Sequence, residues 1–472
     1  MRTMSIGTGD SFSSAARATS AATALPCCAS SACGETATPV DCNPPGTERY
    51  QKLFRSRDTS TRVAAYLTHV SSHVLAPTTV DDVTTDPFPD PVAPLRQTAE
   101  QFRGWLERNH EALEPFRHEV AEELHLSSAR FRPLQKLLWD HGWHRLGWPV
   151  DVGGLGGSPL HRYVVAEELA AAGYVNPAIH GSVEIIAPML IRFAPDLAAR
   201  HVPKGVSGDE VWCQGFSEPD AGSDLGSLRT RAIADGDGFR VSGQKMWSSN
   251  GHIASWCCLL ARTGDPDEGY RGLTMFWVDL SAAGVRVVPT KLESGASDTS
   301  EIFLEDVHVP ADHLIGGVGE GWAAVMYLMQ FERGAYAWGR QADLTTQLTE
   351  LIVDHVDEFP ANADELVGDA YLSLLGLRSR CRDTIGALAA GTNLGPAFSI
   401  DKILLSKAEQ TMTEAARRLL SPRLELAGTD DAVAELWRSR WSFSRITTIY
   451  GGAGEVQRDL VAERLLGLPR GR

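Results

Sequence analysis

The chain has 472 residues, which at ~150 residues per domain predicts roughly three structural units. With 43% hydrophobic and 22% charged residues the composition is that of a globular protein, and no apolar run approaches the ~20 residues that a membrane span needs. The formal charge of −16, from 44 Lys and Arg against 60 Asp and Glu, excludes the electrostatic signature of a nucleic-acid-binding protein at the level of the whole chain.

The eight cysteines predict neither a metal site nor disulfide bonds. Four of them lie within the first 42 residues, no pair stands at two-residue spacing, and no histidines accompany them at zinc-ligand spacing. The other four are scattered, as core cysteines usually are, which suits a reducing cytosol. We therefore expect no metal and a cytoplasmic protein.

Residues 1–90 are rich in Ser, Ala, Thr and Pro and carry little periodic apolar pattern. Such a segment cannot bury enough apolar surface to offset the conformational entropy of folding alone. We interpret it as a disordered tail or an over-extended reading frame, with a transit peptide as the alternative.

Residues 91–210 predict a mainly helical domain. Apolar residues recur at helical spacing over 102–113, 134–138, 160–169 and 185–193, and a Gly-rich stretch at 153–157 interrupts them. The succession of short periodic runs is typical of several packed helices.

Residues 211–322 change to strand signals. Apolar runs at 256–260, 273–280 and 285–288 precede an alternating run at 302–309, which ends at Pro310. Residues 323–472 return to the helical period, with interruptions at 354–364 and 391–396. The order of tail, helices, strands and helices predicts an α+β protein.

Three segments carry candidate chemistry. Residues 215–224, GFSEPDAGSD, form a turn-rich loop whose hydroxyls and backbone N–H groups can face a ligand. Residues 243–251, GQKMWSSNG, place an indole beside two hydroxyls on a short strand, and an indole can cover a flat heteroaromatic ring. Residues 450–458, YGGAGEVQR, have glycines that let the backbone approach a ligand closely. Taken singly, each segment has an ordinary structural interpretation. The first can be a polar connection between domains, the second a core tryptophan with surface serines, and the third a glycine-rich helix cap.

Together and in this order, the three segments resemble the signature segments of the acyl-CoA dehydrogenase family, and the resemblance covers residues 95–472. It implies an N-terminal helical domain, a middle β-barrel domain and a C-terminal four-helix bundle. It also implies noncovalent FAD between the β domain and the bundle, an acyl-CoA substrate, an electron acceptor such as an electron-transfer flavoprotein, and a homo- or hetero-oligomer active in fatty acid or lipid metabolism.

The resemblance also implies roles for individual residues. Ser217 would bond the pyrimidine side of the flavin, Trp247 would pack on the isoalloxazine, and Ser249 would bond near N5. Glu455 and the backbone of 450–454 would lie along the ribityl and pyrophosphate groups. The predicted cofactor-binding set is Phe216, Ser217, Trp247, Ser248, Ser249, Tyr450, Gly452 and Glu455, and the predicted substrate-binding set is Ser223, Gly451 and Arg333.

The catalytic base is absent from its commonest position in the family. There a Glu follows the Tyr of the last segment, whereas this chain has Gly451, which has no side chain to accept a proton. In the long-chain and isovaleryl branch the base is a Glu followed by Arg in the first helix of the bundle, and this chain has Glu332 and Arg333 at that place. We predict Glu332 as the base, since a carboxylate from another helix needs the space left at Gly451. The alternative is an ordinary exposed helical Glu beside an Arg.

The predicted reaction is removal of the α-proton of a thioester by Glu332 and transfer of the β-hydrogen as hydride to flavin N5, which yields a trans-2-enoyl thioester. The Gly451 N–H and a flavin ribityl hydroxyl would stabilise the developing enolate, and exclusion of water would raise the pKa of Glu332. Acyl length, branching and ring character are left open by the motifs.

Other functions remain open at this point. Ala453 and Gly454 stand where the family usually has hydroxyl residues, and 354–364 lacks the family's Arg-x-x-Phe element. Both departures favour a noncatalytic or structural subunit of a hetero-oligomeric acyl-CoA dehydrogenase. A dehydrogenase of acyl-carrier-protein thioesters and flavin-dependent oxygen chemistry are further alternatives. Lys402 and Lys407 allow either a salt bridge or a contact to cofactor or CoA phosphates.

Overall fold

The computed structural model describes residues 88–117, 124–174, 178–293 and 295–470. The predicted tail, residues 1–90, lies outside the described residues except for its last three. The described chain begins with a helical domain. Its helices are α1 (Leu95–Arg108), α2 (His110–Leu113), α3 (Leu124–Asp140), α4 (Leu160–Ala171), α5 (Ala178–Phe193) and α6 (Pro195–Ser207).

The first helix shows how this domain is held together. Phe102, Trp105 and Leu106 of α1 lie on one helical face and are at most 3% exposed. They share a core with Leu134 and Leu138 of α3. Burying side chains of this size stabilises the fold by about 2 kcal/mol each, so the apolar face of α1 fixes its place in the domain.

A single sheet of eight strands follows the helices. The strands are β1 (Trp212–Gly215), β2 (Arg231–Asp235), β3 (Gly238–Ser249), β4 (Trp256–Arg262), β5 (Leu273–Asp279), β6 (Val285–Thr290), β7 (Thr299–Pro310) and β8 (Leu314–Ile315). Their order is β6-β7-β3-β2-β4-β5-β8, and β1 pairs with β4 in parallel. The two long strands β3 and β7, which are far apart in the chain, form its largest antiparallel ladder.

The sheet curls around an interior core. Strands β3 and β5 are separated by β2 and β4, which in a flat sheet places them about 14 Å apart. The rings of Phe239 on β3 and Phe276 on β5 nevertheless have centroids 5.2 Å apart. The sheet therefore bends until its two halves face each other, as a barrel-like domain requires.

The C-terminal part of the described chain is helical. Its helices are α7 (Gly321–Arg333), α8 (Ala335–His355), α9 (Ala363–Ala389), α10 (Phe398–Leu419), α11 (Arg423–Leu426), α12 (Ala432–Ile446) and α13 (Gly454–Leu460), before a π-helical turn at Val461–Leu465. Leu348 of α8, Leu377 of α9, Met412 of α10 and Trp437 of α12 meet in one core. These four helices form a bundle.

Another core joins the sheet to the helices on either side of it. Trp212 of β1 and Trp277 of β5 are both fully buried and meet edge to face, with ring centroids 5.2 Å apart. Leu190 of α5 and Leu328 of α7 belong to the same cluster. Helix α7 is thereby packed against the sheet along its length, which sets the position of the residues at its C-terminal end.

In the described ranges, no helix is both long and apolar enough to cross a membrane. The same ranges contain no group of three or more His, Cys, Asp or Glu side chains arranged to hold a metal ion. Cys213, Cys257, Cys258 and Cys381 are buried free thiols.

The contact between α6 and β1 generates a stability prediction. A Cβ added at Gly205 would lie 2.5 Å from the Trp212 ring, which has no room to move because it is fully buried. We expect Gly205→Ala to lower the free energy of unfolding by about 1–3 kcal/mol. Gly376→Ala is the matched control on α9, where an added Cβ meets nothing within 4 Å, and helix propensity favours a gain of up to about 1 kcal/mol. Urea unfolding of both variants checks this; equal stabilisation would contradict the tight α6–β1 contact.

Candidate active site

A buried ion pair fixes the loop at 215–224 to β3. The Lys245 ammonium donates to Glu218 Oε1 at 2.7 Å and to the Phe216 carbonyl at 3.1 Å. The Glu218 carboxylate also accepts from the backbone N–H groups of Arg229 at 2.6 Å and Thr230 at 2.9 Å. Four hydrogen bonds thus hold the first part of the loop, Phe216 and Glu218, in place.

The two charges support each other. Burial lowers the pKa of Lys245 to about 8, and the adjacent Glu218 carboxylate opposes that shift. Burial acts to raise the pKa of Glu218, but the Lys245 ammonium and the hydrogen bonds to its carboxylate outweigh it and leave that pKa below its usual value. Near neutral pH both groups are therefore charged, and within the described residues each is the other's ion-pair partner.

Trp247 lies in a strained and exposed position on β3. The pairing of β3 with β7 shifts register between Lys245 and Ser248, so Trp247 falls within a bulge. Its φ of 60° lies in the left-handed region, which a bulky residue rarely adopts. The indole is 54% exposed although the strand around it is well packed. Strain together with an exposed large ring indicates a ligand-facing residue.

Hydroxyl groups without partners lie beside this indole. Ser248 is 1% exposed, and in the described part of the chain its Oγ has no hydrogen-bond partner. The same holds for Thr299 Oγ1, opposite Ser249 in the β3–β7 ladder. The backbone N–H of Met246 donates to the Ser217 carbonyl at 2.9 Å, which brings the loop alongside the indole. Because buried polar groups normally have partners, these residues fit a flat ligand with hydrogen-bonding edges, such as a flavin.

The glycines of the last segment adopt conformations that other residues rarely do. Gly451 has φ of 61° and Gly452 has φ of 104°. Arg333 Nε donates to the Gly451 carbonyl at 3.2 Å. A Cβ at Gly452 would lie 2.2 Å from Gln457 Nε2. The turn between α12 and α13 is therefore closed by the C-terminal end of α7 and depends on glycine at both positions.

Glu332 points its carboxylate at this turn. A Cβ built on Gly451 would lie 3.0 Å from Glu332 Oε1, so a side chain there would press on the carboxylate. Glu332 lies deep in the fold yet keeps partial access to solvent. Burial raises its pKa, while Arg333, Lys402 and a hydrogen bond from Gln214 oppose that rise. A carboxylate of raised pKa in a partly accessible interior position is typical of a general base.

Sequence reasoning missed Gln214 and left Lys402 ambiguous. Gln214 lies on β1, and its amide is the hydrogen-bonding neighbour of Glu332. Lys402 lies on α10, is 3% exposed, and its Cε is 3.7 Å from the Cβ position at Gly451. A polar Gln within the apolar strand sequence WCQG was the available signal for the first. The burial of Lys402 depends on helix packing, which the sequence does not show.

The predicted site residues fall into two neighbouring groups. Around the indole lie Phe216, Ser217, Trp247, Ser248 and Ser249. Around the carboxylate lie Glu332, Arg333, Tyr450, Gly451 and Gly452. Strand β1 connects the groups, since Gln214 contacts Glu332 and Phe216 follows two residues later. Ser223 and Glu455 are exposed, and no contact joins either to these groups in the described residues.

Three family models match successive parts of the chain. They describe the acyl-CoA dehydrogenase N-terminal domain at 95–209, middle domain at 213–307 and C-terminal domain at 319–466. The chain therefore belongs to the acyl-CoA dehydrogenase family, and it is an oxidoreductase of that class. The fold class predicted from the sequence is confirmed. Because the family consists of flavoproteins, FAD is the implied cofactor.

Individual relatives agree with this assignment. The chain is 34% identical over 391 residues to acyl-CoA dehydrogenase IpdE1 of Mycobacterium tuberculosis, covering 78% of this chain and 97% of the relative. Among solved structures it is similar to the Tcur3481-Tcur3483 steroid ACAD, with 25% identity, a TM-score of 0.69 and coverage of 81% of this chain and 100% of the other. It is also similar to the ChsE4-ChsE5 complex from Mycobacterium tuberculosis, with 26% identity, a TM-score of 0.63 and coverage of 80% and 98%.

The Glu218–Lys245 pair generates a prediction about the stability of the site. Lys245→Met leaves the Glu218 carboxylate buried without its cation, and we expect the free energy of unfolding to fall by about 3–5 kcal/mol. Adding Glu218→Gln to that variant removes the unpaired charge and should restore part of the loss. Urea unfolding of the single and double variants measures the difference. An additive effect of the two substitutions would mean that the pair does not hold the loop.

Proposed function

We propose that this protein catalyses the α,β-dehydrogenation of an acyl-CoA thioester, with Glu332 as the base that removes the α-proton. One observation carries the proposal: the Glu332 carboxylate lies in the interior, directed at a glycine whose missing side chain leaves space for it. A surface Glu of α7 would have neither the burial nor the matching glycine. The proposal therefore depends on Glu332 and Gly451 as a pair.

The first step requires a stronger base than a carboxylate in water. Burial raises the pKa of Glu332 and so strengthens it as a base, while Arg333 and Lys402 keep it from becoming permanently protonated. Entry of an acyl chain would remove the remaining solvent and strengthen every electrostatic interaction at the carboxylate. After abstraction the proton resides on a Glu332 carboxylate oxygen.

The negative charge that develops on the thioester oxygen needs a donor. The backbone N–H of Gly451 makes no hydrogen bond within the described residues, although the carbonyl of the same residue is held by Arg333. We assign this N–H to the thioester oxygen, where a fixed donor stabilises the enolate. Arg333 holds the carbonyl of the following peptide unit, which restrains the backbone on one side of this donor.

The residues around the exposed indole suit the cofactor. We assign the exposed Trp247 ring to one face of the flavin and the hydroxyls of Ser217 and Ser249 to its polar edge. Ser248 projects to the opposite, buried face of β3 and is assigned to the cofactor site through its backbone. FAD, when bound, accepts the β-hydrogen as hydride and so completes the trans-2-enoyl product. Ser223 and Glu455 are exposed, and the family resemblance supports assigning them to substrate and cofactor respectively.

The proposal names the acyl group of the substrate by class only. The similarity to a protein described as a steroid ACAD supports including ring-bearing acyl groups among the candidates. Thioesters of CoA and of acyl-carrier protein both present the same reacting carbons to Glu332. A screen of linear, branched and ring-bearing thioesters, each on CoA and on a carrier protein, separates these options. Family membership alone supports an electron-transfer flavoprotein as the acceptor.

Replacing the base gives the sharpest test. We expect Glu332→Gln to retain bound FAD and to lose about 100-fold or more in the rate of substrate-induced flavin bleaching, since general base catalysis contributes on the order of 10²–10⁴. The measurement is stopped-flow absorbance of the FAD-loaded protein with the best thioester of the screen. Glu365→Gln makes the same chemical change at an exposed site on α9 and should bleach at the wild-type rate. Undiminished bleaching by Glu332→Gln would refute the assignment.

The indole makes a separate prediction about cofactor binding. We expect Trp247→Ala to weaken FAD binding about tenfold, because a stacked aromatic ring and its buried area contribute on the order of 1–2 kcal/mol. Ile233→Ala on β2 truncates another exposed apolar side chain of the sheet and should leave the affinity unchanged. Titration of the apoprotein with FAD, followed by flavin fluorescence, measures both. Equal affinities for the two variants would remove Trp247 from the cofactor site.

A second candidate function is a noncatalytic subunit that works beside a related chain. The similarity to a complex of two differently named chains, and the lack of side-chain hydroxyls at Ala453 and Gly454, support it. Under this proposal the purified chain stays colourless when FAD is added. Bleaching of the purified chain alone by any thioester would instead support the catalytic proposal.

A further inference from the structure

A buried lysine approaches the same Gly451 position as the proposed base. Lys402 on α10 is 3% exposed, and its Cε is 3.7 Å from the Cβ position at Gly451, where Glu332 Oε1 is at 3.0 Å. The cation and the carboxylate therefore face the same small region from two helices. Lys407, one turn and a half further along α10, is exposed.

Contacts of its ammonium group hold the Lys402 side chain in place. Its ammonium donates to the Thr447 carbonyl and lies 4.0 Å from the centroid of the Tyr450 ring, a cation–π contact. The Thr447 carbonyl also accepts from Ser406 Oγ at 2.6 Å. The Thr447 carbonyl therefore keeps one donor, Ser406, when Lys402 is replaced. The charge of Lys402 is not replaced in this way, because a hydroxyl is neutral.

The charges that face Lys402 come from three elements. Helix α7 contributes Glu332 and Arg333, and α10 itself contributes Glu409. The turn after α12 contributes Tyr450, whose hydroxyl is 3.2 Å from that of Tyr336 on α8. Toward Glu332, β1 adds only the neutral amide of Gln214.

Among the residues that the structure describes, Arg333 and Lys402 are the cations that act on the Glu332 carboxylate. Arg340 of α8 pairs with Glu409 at 2.6 Å, so the charge of Glu409 is largely compensated. Arg333 is committed to the Gly451 carbonyl. Lys402 likewise donates to the Thr447 carbonyl, but a neutral carbonyl neutralises neither charge, so both cations act on Glu332 in an interior where a charge acts much more strongly than in water.

We propose that Lys402 is a positioning residue that keeps the Glu332 carboxylate ionised and directed at the space beside Gly451. The inference rests on the proposed role of Glu332 and deepens it. Burial raises the pKa of Glu332, and without the Lys402 ammonium this rise is opposed by Arg333 and Gln214 alone. A larger fraction of Glu332 is then protonated and unable to accept the α-proton. A merely structural lysine would change the stability of the bundle but not the protonation of Glu332.

The first experiment measures the pH profile of substrate-induced flavin bleaching for Lys402→Met, Lys402→Arg and Lys407→Met. We expect Lys402→Met to move the acid limb of the profile to higher pH by about one unit. The rate at a given pH on that limb is then about tenfold lower, because one pKa unit is a tenfold change in protonation. Lys402→Arg keeps the charge, Lys407→Met removes an exposed one, and both should keep the wild-type limb. A Lys402→Met profile that is lowered uniformly, with its limb unmoved, would overturn the inference.

The second experiment needs neither substrate nor FAD. A raised pKa in the folded state means that Glu332 contributes stability at low pH that is lost as pH rises through that pKa. Glu332→Gln removes this loss, so it should raise the melting temperature more at about pH 7 than at about pH 5. In the Lys402→Met background the gain should be larger and should extend to higher pH. Below about pH 7 the wild-type Lys402 stays charged, since burial lowers its pKa only to about 8.

The two experiments separate the two proposals. If no thioester bleaches the wild-type flavin, the proposed function fails while the melting-temperature cycle still reports on Lys402. If Glu332→Gln gives the same gain in both backgrounds at every pH, the inference fails whatever the enzyme does. Should Lys402→Met not fold, Lys402→Gln, which removes the charge but keeps a donor, takes its place in both experiments with the same expected and contrary results.

Discussion

The site depends on a carboxylate buried against a residue without a side chain. Glu332 and Gly451 constrain each other: a Cβ at 451 would lie 3.0 Å from Glu332 Oε1, and φ of 61° at 451 already disfavours any other residue. Arg333 follows Glu332 directly and holds the Gly451 carbonyl, so the glycine turn and the end of α7 move as one unit. The distance between carboxylate and turn is thus fixed by adjacent residues of a single helix.

The start of α7 sets the position of Glu332 and Arg333, which lie at its C-terminal end. Helix α7 begins at Gly321, where a Cβ would lie 2.7 Å from the backbone of Thr274 on β5, so the helix starts in direct contact with the sheet. At 1.5 Å per residue, Glu332 lies about 16 Å further along. Strand β1 returns to it through Gln214 and carries the loop tied down by Lys245. The sheet therefore contacts α7 at both ends of the helix: at its start through Thr274, and beside Glu332 at its end through Gln214.

The sequence predicted the order of helices and strands, but not every element. The hairpin of β2 and β3 was missed although Gly236 and Asp237 form its two-residue loop, because β2 is short and largely exposed. Glu332 was predicted as the base because Gly451 has no side chain and leaves space for a carboxylate from another helix. Its catalytic role stays a prediction. Lys402 and Lys407 were indistinguishable in the sequence, since only the packing of α10 in the bundle decides which of them is buried.

Two features that disfavour folding lie where ligands are expected. Trp247 combines a left-handed backbone with an exposed indole, and Ser248 buries a hydroxyl that the described chain leaves unpaired. Each costs about 1–3 kcal/mol, which the long β3–β7 ladder on either side of the bulge and the tryptophan-rich core beneath the sheet can offset. A stable neighbourhood is what allows strain to persist, so the bulge is held in one conformation before any ligand arrives. Binding then satisfies groups that are already in place, and little of its free energy is lost in ordering them.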